Sequence, residues 1–189
     1  ALQAYQIALE IDPNMNFNFQ MAVLYGQNGQ TDKMIEKFLE ESYMNPQNLI
    51  LVQNQFTRFM TENADVTFKE ALRKALLIRI QKNQEVFWNQ YLSWFYVQQK
   101  EFGKAFIQEK AIYKRNPESL YNIVNLVQIA IEEDDKETAK EILAFILENT
   151  KDTELQMQAH YFLTEMRIND PSINNYSEIE KDLVSLLNQ

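Results

Sequence analysis

Several residue types that common functional sites require are scarce or missing in this chain. Its 189 residues include no cysteine, one histidine, three glycines and four prolines. Without cysteine the chain forms neither disulfides nor thiolate metal sites, and one histidine excludes a site built from three histidines. Scarce glycine argues against Rossmann and phosphate-binding loops, and scarce glycine and proline together argue against the many turns of a β-sandwich or barrel. We therefore expect an all-helical chain that acts by binding.

The charge balance is acidic and excludes a second group of functions. The chain has 18 basic and 27 acidic residues, giving a net charge of −9, and we expect no cluster of Lys and Arg. Nucleic acid is not an expected partner, because its phosphates are bound through a basic surface. No apolar run approaches the roughly 18–20 residues of a membrane-spanning helix, so membrane insertion is not expected. The hydrophobic content of 46% suffices for a folded core.

Apolar residues recur at helical spacing along almost the whole chain, for example over residues 142–147. Polar or proline-containing segments interrupt this pattern ten times. The residue before a proline is disfavoured in a helix, so a pair such as Asn45-Pro46 predicts a helix end. The breaks predict about eleven helices of roughly 11–17 residues. The Thr31-Asp32 pair, the Asp65/Thr67 pair and Asp135 are expected to cap helix N-termini.

The breaks and several side chains recur at a fixed interval. Asp12-Pro13 and Asn45-Pro46 are 33 residues apart, and Ala105 and Ala139 are 34 apart. Two helices in about 34 residues is the period of tetratricopeptide repeats.

The chain resembles the tetratricopeptide repeat (TPR) family. In that pattern the second helix of a pair has an alanine, an aromatic residue four positions later, a second alanine three further on and then a proline. The opening segment matches it with Ala1, Tyr5, Ala8 and Pro13. The next repeat has Glu41 in place of the second alanine, which departs from the pattern. The resemblance covers nearly the whole chain.

The resemblance implies one domain over residues 1–189, an all-α, right-handed superhelical solenoid of antiparallel helix pairs with about eleven helices. The expected units are a half repeat at 1–14, repeats at 15–48, 49–85, 86–119 and 120–153, and a degenerate capping pair at 154–189. Because the sequence begins inside a repeat, we expect a fragment of a larger bacterial TPR protein. A periplasmic or cell-envelope location and a cytoplasmic one both stay open, since a signal region would lie outside this fragment.

Residue patterns typical of catalysis or metal binding are missing from the sequence. His160 has no neighbouring Cys or His, and we assign it a structural or surface role. Glu40 and Glu41 would point about 100° apart on a helix, unlike the facing carboxylates of a glycosidase. The acidic run at 132–137 predicts a solvated turn. No P-loop, EF-hand, zinc-protease or hydrolase motif is present, so we expect no enzyme activity, cofactor or metal.

In TPR proteins the first helix of each pair lines a concave groove that holds extended peptides, and the register places uncharged side chains there. Members that bind chaperone tails use Lys and Arg, which this chain lacks at matching positions, so such a tail is not an expected ligand. Amide side chains both donate and accept hydrogen bonds, and aromatic residues are enriched at binding hot spots. The candidate peptide-binding residues are Phe19, Gln20, Asn54, Phe87, Gln90, Tyr91, Trp94, Gln98, Tyr121, Asn125 and Gln128.

The expected function is a protein- or peptide-binding scaffold that holds a neutral extended segment of a partner, with most of the charge on the outer face and turns. Two alternatives stay open: a structural spacer or self-association module, and a regulatory helical appendage of a larger envelope protein. An alternative explanation of the amide-rich groove also stays open. Asn and Gln are common throughout the chain, so their presence in the groove could reflect composition alone. The cluster of Phe87, Tyr91 and Trp94 could equally be packing between repeats.

Overall fold

The computed structural model describes residues 1–62, 66–117 and 119–168, together with Glu180, Lys181 and Val184. These residues form helices and no strand, which confirms the prediction of an all-α fold. Within the described ranges, ten α-helices and a short 3-10 helix at Pro46–Asn48 follow one another. The α-helices are α1 (Leu2–Ile11), α2 (Asn18–Gln27), α3 (Thr31–Met44), α4 (Leu49–Glu62), α5 (Val66–Lys82), α6 (Val86–Gln98), α7 (Phe102–Arg115), α8 (Tyr121–Glu132), α9 (Lys136–Asn149) and α10 (Thr153–Ile168).

The predicted interruptions agree with the ends of these helices. Every break predicted as far as Lys151-Asp152 coincides with a helix end, although Thr31-Asp32, Glu62 and Lys82 belong to the neighbouring helices. Residues 63–65 of one break lie outside the described residues. At Asn45-Pro46, α3 ends and the proline begins the short 3-10 helix, as its missing N–H and fixed φ favour. The last predicted break, at Asp170-Pro171, lies outside the described residues. Of the eleventh predicted helix beyond it, the structure describes Glu180, Lys181 and Val184, and all three are helical.

Three N-caps are predicted. The one at Asp135 is present, and Asp65 of the Asp65/Thr67 pair lies outside the described residues. The Asp135 carboxylate accepts a hydrogen bond of 3.1 Å from the backbone N–H of Thr138, which confirms its capping role. The prediction for Thr31-Asp32 is wrong: α3 begins at Thr31 itself, and the preceding Gln30 makes no side-chain cap bond. Asp32 instead lies in the first turn of α3, where its charge is favoured by the helix dipole.

One turn geometry precedes three of the helices. Gly29, Lys100 and Asp134 have left-handed φ values of 69°, 56° and 59°, and each lies two residues before the start of α3, α7 or α9. After Gly29 and Asp134, the next backbone N–H donates to the carbonyl five positions earlier, as in a Schellman helix end. The same local chain reversal therefore recurs along the sequence.

The chain forms two compact units, residues 1–98 and residues 99–189. The first unit contains α1 to α6, and the second contains α7 to α10. The single solenoid predicted over 1–189 spans both units and stays a prediction, together with its repeat boundaries.

In the first unit, α2 and α3 pack antiparallel. At one end the rings of Phe19 and Phe38 lie 5.4 Å apart. At the other, a Cβ atom on Gly26 would lie only 2.6 Å from Met34 Sδ, so the absence of a side chain lets α2 approach α3 closely. The start of α2 thus meets the end of α3, and its end meets the start of α3.

Helices α3 and α5 of this unit pack side by side and run in the same direction. One groove is lined by residues 29–33, 67, 68 and 71, and another by residues 36, 40, 43, 44, 79, 82 and 83 with Trp88. Between them the Arg79 guanidinium donates to the Glu36 carbonyl oxygen at 3.4 Å. Parallel packing of alternate helices is what stacked helical hairpins produce.

The core of the first unit joins four helices through aromatic rings. Phe56 of α4 lies 5.6 Å from Phe38, 6.1 Å from Phe68 and 6.4 Å from Tyr91, measured between ring centroids. Phe38, Phe56 and Tyr91 are among the largest fully buried side chains. These contacts fix α6 against the rest of the unit.

Glu41 stands where the TPR pattern has alanine. Its side chain is buried, and side-chain amides donate hydrogen bonds to its carboxylate. Its side chain is only 3% exposed. One carboxylate oxygen accepts from the amide groups of Asn45 and Asn48 at 3.0 and 2.6 Å, and the other accepts from Asn16 at 2.8 Å. The carboxylate thus connects the end of α3 to the segment that enters α2.

The second unit repeats the parallel arrangement. A Cβ atom on Gly103 of α7 would lie 3.6 Å from Thr138 Oγ1 of α9, and the Tyr113 hydroxyl donates to the Asn149 carbonyl at 3.4 Å. These partners are 35 and 36 residues apart, close to the repeat period of about 34. Helix α9 also packs against α8 and α10.

Candidate functional site

Charged residues are rare in four of the helices and concentrated in those between them. Helices α2 and α6 contain no Asp, Glu, Lys or Arg. Helix α4 contains only Arg58 and Glu62, and α8 contains only Glu132. Each of α3, α5, α7 and α9 contains five or six charged residues. Uncharged and charged helices therefore alternate along the chain.

The structure places the predicted site residues in both units, on the uncharged helices. Six are exposed, namely Gln20, Asn54, Gln90, Gln98, Tyr121 and Gln128. Four are partly exposed, namely Phe19, Phe87, Trp94 and Asn125. Tyr91 alone among the eleven is buried.

Four of the predicted residues share one face of α6. Phe87, Gln90, Trp94 and Gln98 are spaced at i, i+3, i+7 and i+11, which aligns them along the helix. We name these four residues the α6 stripe. It presents two exposed amides and two partly exposed aromatic rings over about 16 Å.

Tyr91 supports the α6 stripe from the core side. Its side chain is 2% exposed, and its ring lies 5.4 Å from Trp94 in an edge-to-face contact and 6.4 Å from Phe56. Its hydroxyl lies 3.4 Å from Ser42 Oγ, which itself donates to the Phe38 carbonyl. Burial raises the pKa of the Tyr91 phenol, so the hydroxyl keeps its proton at neutral pH. In this conformation Tyr91 positions Trp94 and offers no surface to a ligand.

Phe19 belongs to the same aromatic network. Its ring contacts Phe38, which contacts Phe56, which contacts Tyr91, so the rings connect α2 to α6 through α3 and α4. Gln20 and Asn54 lie on exposed parts of α2 and α4. Within the described residues, no hydrogen bond or ring contact joins these two amides to the α6 stripe.

The three predicted residues of the second unit lie along α8. Tyr121 is 68% exposed at the start of the helix. Its backbone N–H donates a hydrogen bond to Ser119 Oγ at 3.1 Å. Asn125 and Gln128 follow at i+4 and i+7, on the same face. This face, like the α6 stripe, combines an aromatic ring with amides.

Sequence reasoning missed a basic surface on α5. This helix contains five basic residues and one acidic residue, which are Lys69, Arg73, Lys74, Arg79, Lys82 and Glu70. The expectation that Lys and Arg do not cluster is therefore wrong for α5. The net charge of the whole chain hid the cluster, and counting charges within one helix would have found it.

Sequence reasoning also missed the surroundings of Trp88. The buried indole stacks on Tyr43 with ring centroids 5.3 Å apart, and the Arg79 guanidinium lies 5.2 Å from the indole ring. The Tyr43 hydroxyl donates to the Glu85 carboxylate at 3.1 Å, and this bond raises the pKa of Tyr43. Trp88 Nε1 has no hydrogen-bond partner among the described residues. This cluster fastens the start of α6 to α3 and α5.

The described residues contain no group of three His, Cys, Asp or Glu side chains placed to hold a metal ion. No helix in the same part of the chain has the length and apolarity to cross a membrane.

No protein-family model matches the chain, and no curated protein matches it.

Proposed function

We propose that the chain is a protein- or peptide-binding scaffold built from TPR-like helix pairs. Its uncharged helices hold a neutral extended segment of a partner protein. The observation that carries the proposal is the α6 stripe, in which exposed amides and partly exposed aromatic rings alternate on a helix without charge.

The chemistry of the stripe suits a peptide backbone. Gln90 and Gln98 each offer a donor and an acceptor, which an extended peptide presents in return along its main chain. Phe87 and Trp94 offer apolar ring surface of the kind found at binding hot spots. A charged ligand would lose hydration here without finding an opposite charge on α6. A stripe of about 16 Å matches roughly five residues of extended chain.

Three structural features support the TPR-like part of the proposal. The left-handed turn recurs before α3, α7 and α9. Alternate helices pack in parallel within each unit, with partners 35 and 36 residues apart in the second. Uncharged helices occupy the positions that the family pattern assigns to the first helix of each pair.

Selection from a phage-displayed library of random peptides tests the proposal. We expect the enriched peptides to contain few charged residues and to bind the protein in isothermal titration calorimetry. Trp94→Ala and Gln90→Ala should each weaken that binding about tenfold or more, because each removes a contact at the centre of the α6 stripe.

The controls separate lost binding from lost folding. Gln6→Ala removes an exposed amide from α1, away from the α6 stripe, and should leave the affinity within about twofold. Helical circular dichroism and the melting temperature should stay nearly unchanged in Gln90→Ala and Trp94→Ala. Wild-type affinity in Gln90→Ala, whose side chain is exposed, would contradict the proposal even if Trp94→Ala proved unstable. Enrichment of strongly charged peptides would contradict it as well.

A further inference from the structure

The two aromatic residues of the α6 stripe have a defined spacing along the helix. Phe87 and Trp94 are seven positions apart, which separates them by about 10.5 Å along the axis and by only about 20° around it. Both rings contact Tyr91 edge to face, at centroid distances of 5.9 and 5.4 Å. Because Tyr91 is 2% exposed, it holds both rings from the core side. The stripe therefore offers two apolar contact points at a fixed separation.

This separation distinguishes between the extended conformations of a peptide. In a polyproline II helix, residues three apart face the same side and lie about 9.3 Å from each other. In a β-strand, the residues on one side recur at about 6.7 Å and about 13.4 Å. The ring separation of about 10.5 Å is close to the polyproline II period and differs from both β periods by about 3 Å or more.

The amides of the stripe select a ligand whose main chain is free to form hydrogen bonds. Gln90 lies between the two rings and Gln98 lies one turn beyond Trp94, and both side chains are exposed. A bound α-helix would repeat its side chains at a similar distance, but its main-chain groups are bonded internally and would leave these amides unpaired. A polyproline II segment has no internal hydrogen bonds, so its carbonyls can accept from the NH₂ groups of both glutamines. Proline itself contributes only a carbonyl acceptor, which suits these donors.

The charged residues that flank α6 in the sequence are already paired within the chain. Glu85, before the helix, accepts a hydrogen bond of 3.1 Å from a tyrosine hydroxyl. After the helix, Lys100 pairs with Glu133, and Glu101 pairs with Lys104 at 2.9 Å. Helix α6 itself contains no charged residue. An uncharged segment therefore matches the stripe, whereas a charged one would lose hydration without gaining an ion pair on α6.

We propose that the α6 stripe binds a proline-rich segment in the polyproline II conformation, with two prolines three residues apart packed on Phe87 and Trp94. This inference rests on the proposed peptide-binding function and names the class of segment that is bound. Gln90 and Gln98 donate to main-chain carbonyls beside the two prolines. Such a segment loses little conformational freedom on binding, because proline restricts it before it binds.

Fluorescence anisotropy with two defined probes tests this inference. The first probe is a labelled neutral peptide of about nine residues with proline at every third position and Ser or Gln elsewhere. The second has the same composition with its three prolines consecutive. The wild-type protein should bind the first probe about tenfold tighter, because only the first places a proline on both rings.

A ring-exchange variant tests the spacing itself. Gln90→Trp with Trp94→Gln keeps the composition of the stripe and brings the two rings to about 4.5 Å apart along the axis. The preference for the first probe should then fall from about tenfold to less than about twofold. Trp94→Ala removes one ring and should reduce the preference to the same extent, which keeps the test decisive if the exchange variant does not fold. Gln6→Ala on α1 should leave the preference unchanged.

The outcomes separate this inference from the function on which it rests. Equal affinity of the wild type for both probes, or a preference that persists in Trp94→Ala, would overturn the inference. So would tighter binding of a neutral peptide with alternating valines, because that result points to a β-strand. In each of these cases, neutral library peptides that bind through Trp94 would still support the peptide-binding proposal. Failure of every neutral peptide to bind would contradict the proposed function and the inference together.

Discussion

Replacing Glu41 with alanine should lower the free energy of unfolding by about 4 kcal/mol. The buried carboxylate accepts hydrogen bonds from the amides of Asn16, Asn45 and Asn48. Each hydrogen bond to a charged acceptor contributes about 1.5–3 kcal/mol, and alanine leaves all three amides without this acceptor. The three amides are only partly buried, so water can accept some of their hydrogen bonds in the variant and reduce the loss of stability.

Urea unfolding followed by circular dichroism measures this loss, and the neighbouring residue supplies its control. Glu40 is partly exposed and pairs with Lys37 at 2.6 Å, so Glu40→Ala should cost less than about 1 kcal/mol. Glu41→Gln should cost about 2 kcal/mol, because one oxygen still accepts hydrogen bonds while its amide nitrogen faces a donor. Equal losses in Glu40→Ala and Glu41→Ala would show that the amide contacts contribute nothing.

Tyr91→Ala should destabilise the protein by about 4 kcal/mol, as large-to-small changes of buried aromatic residues do. The ring is 2% exposed and contacts Phe56 and Trp94, so its removal leaves a cavity behind the α6 stripe. Tyr91→Phe keeps the ring and removes only the hydroxyl contact with Ser42, which should cost about 1 kcal/mol. The same unfolding experiment measures both losses.

Trp94 provides the contrasting case. Its ring is partly exposed, so Trp94→Ala should cost less than about 2 kcal/mol and should act mainly on binding. If Tyr91→Ala lowered the free energy of unfolding less than Trp94→Ala does, the assignment of Tyr91 as support and Trp94 as contact surface would be reversed.

The helices and their ends could be predicted from the sequence because their signals are local. Asn45-Pro46 ends a helix through the proline ring, and Asp135 caps one through its own carboxylate. Periodic apolar residues between such breaks leave little choice other than a helix. The predicted cap at Thr31-Asp32 was wrong because the left-handed turn at Gly29 lets α3 begin at Thr31, which makes Gln30 the N-cap residue.

The side-chain environments depended on contacts between distant segments. Helix α6 is apolar or aromatic nearly all round, so its register alone could not distinguish buried Tyr91 from partly exposed Trp94. The burial of Glu41 depends on a hydrogen bond from the side-chain amide of Asn16, which lies 25 residues away in the sequence. The exposed cations of α5 were visible in the sequence, but averaging over a chain of charge −9 concealed them.

Fluorescence of Trp94 gives the most direct test of the proposed peptide-binding surface. The chain has two tryptophans, so Trp88→Phe leaves Trp94 as the reporter on the α6 stripe. A saturating neutral peptide from the library should shift its emission to shorter wavelength and protect it from acrylamide. The affinity should also change by less than about twofold between roughly 50 and 500 mM salt, since the contact contains no ion pair. Unchanged Trp94 emission with the peptide bound, or affinity that falls steeply with salt, would contradict the account.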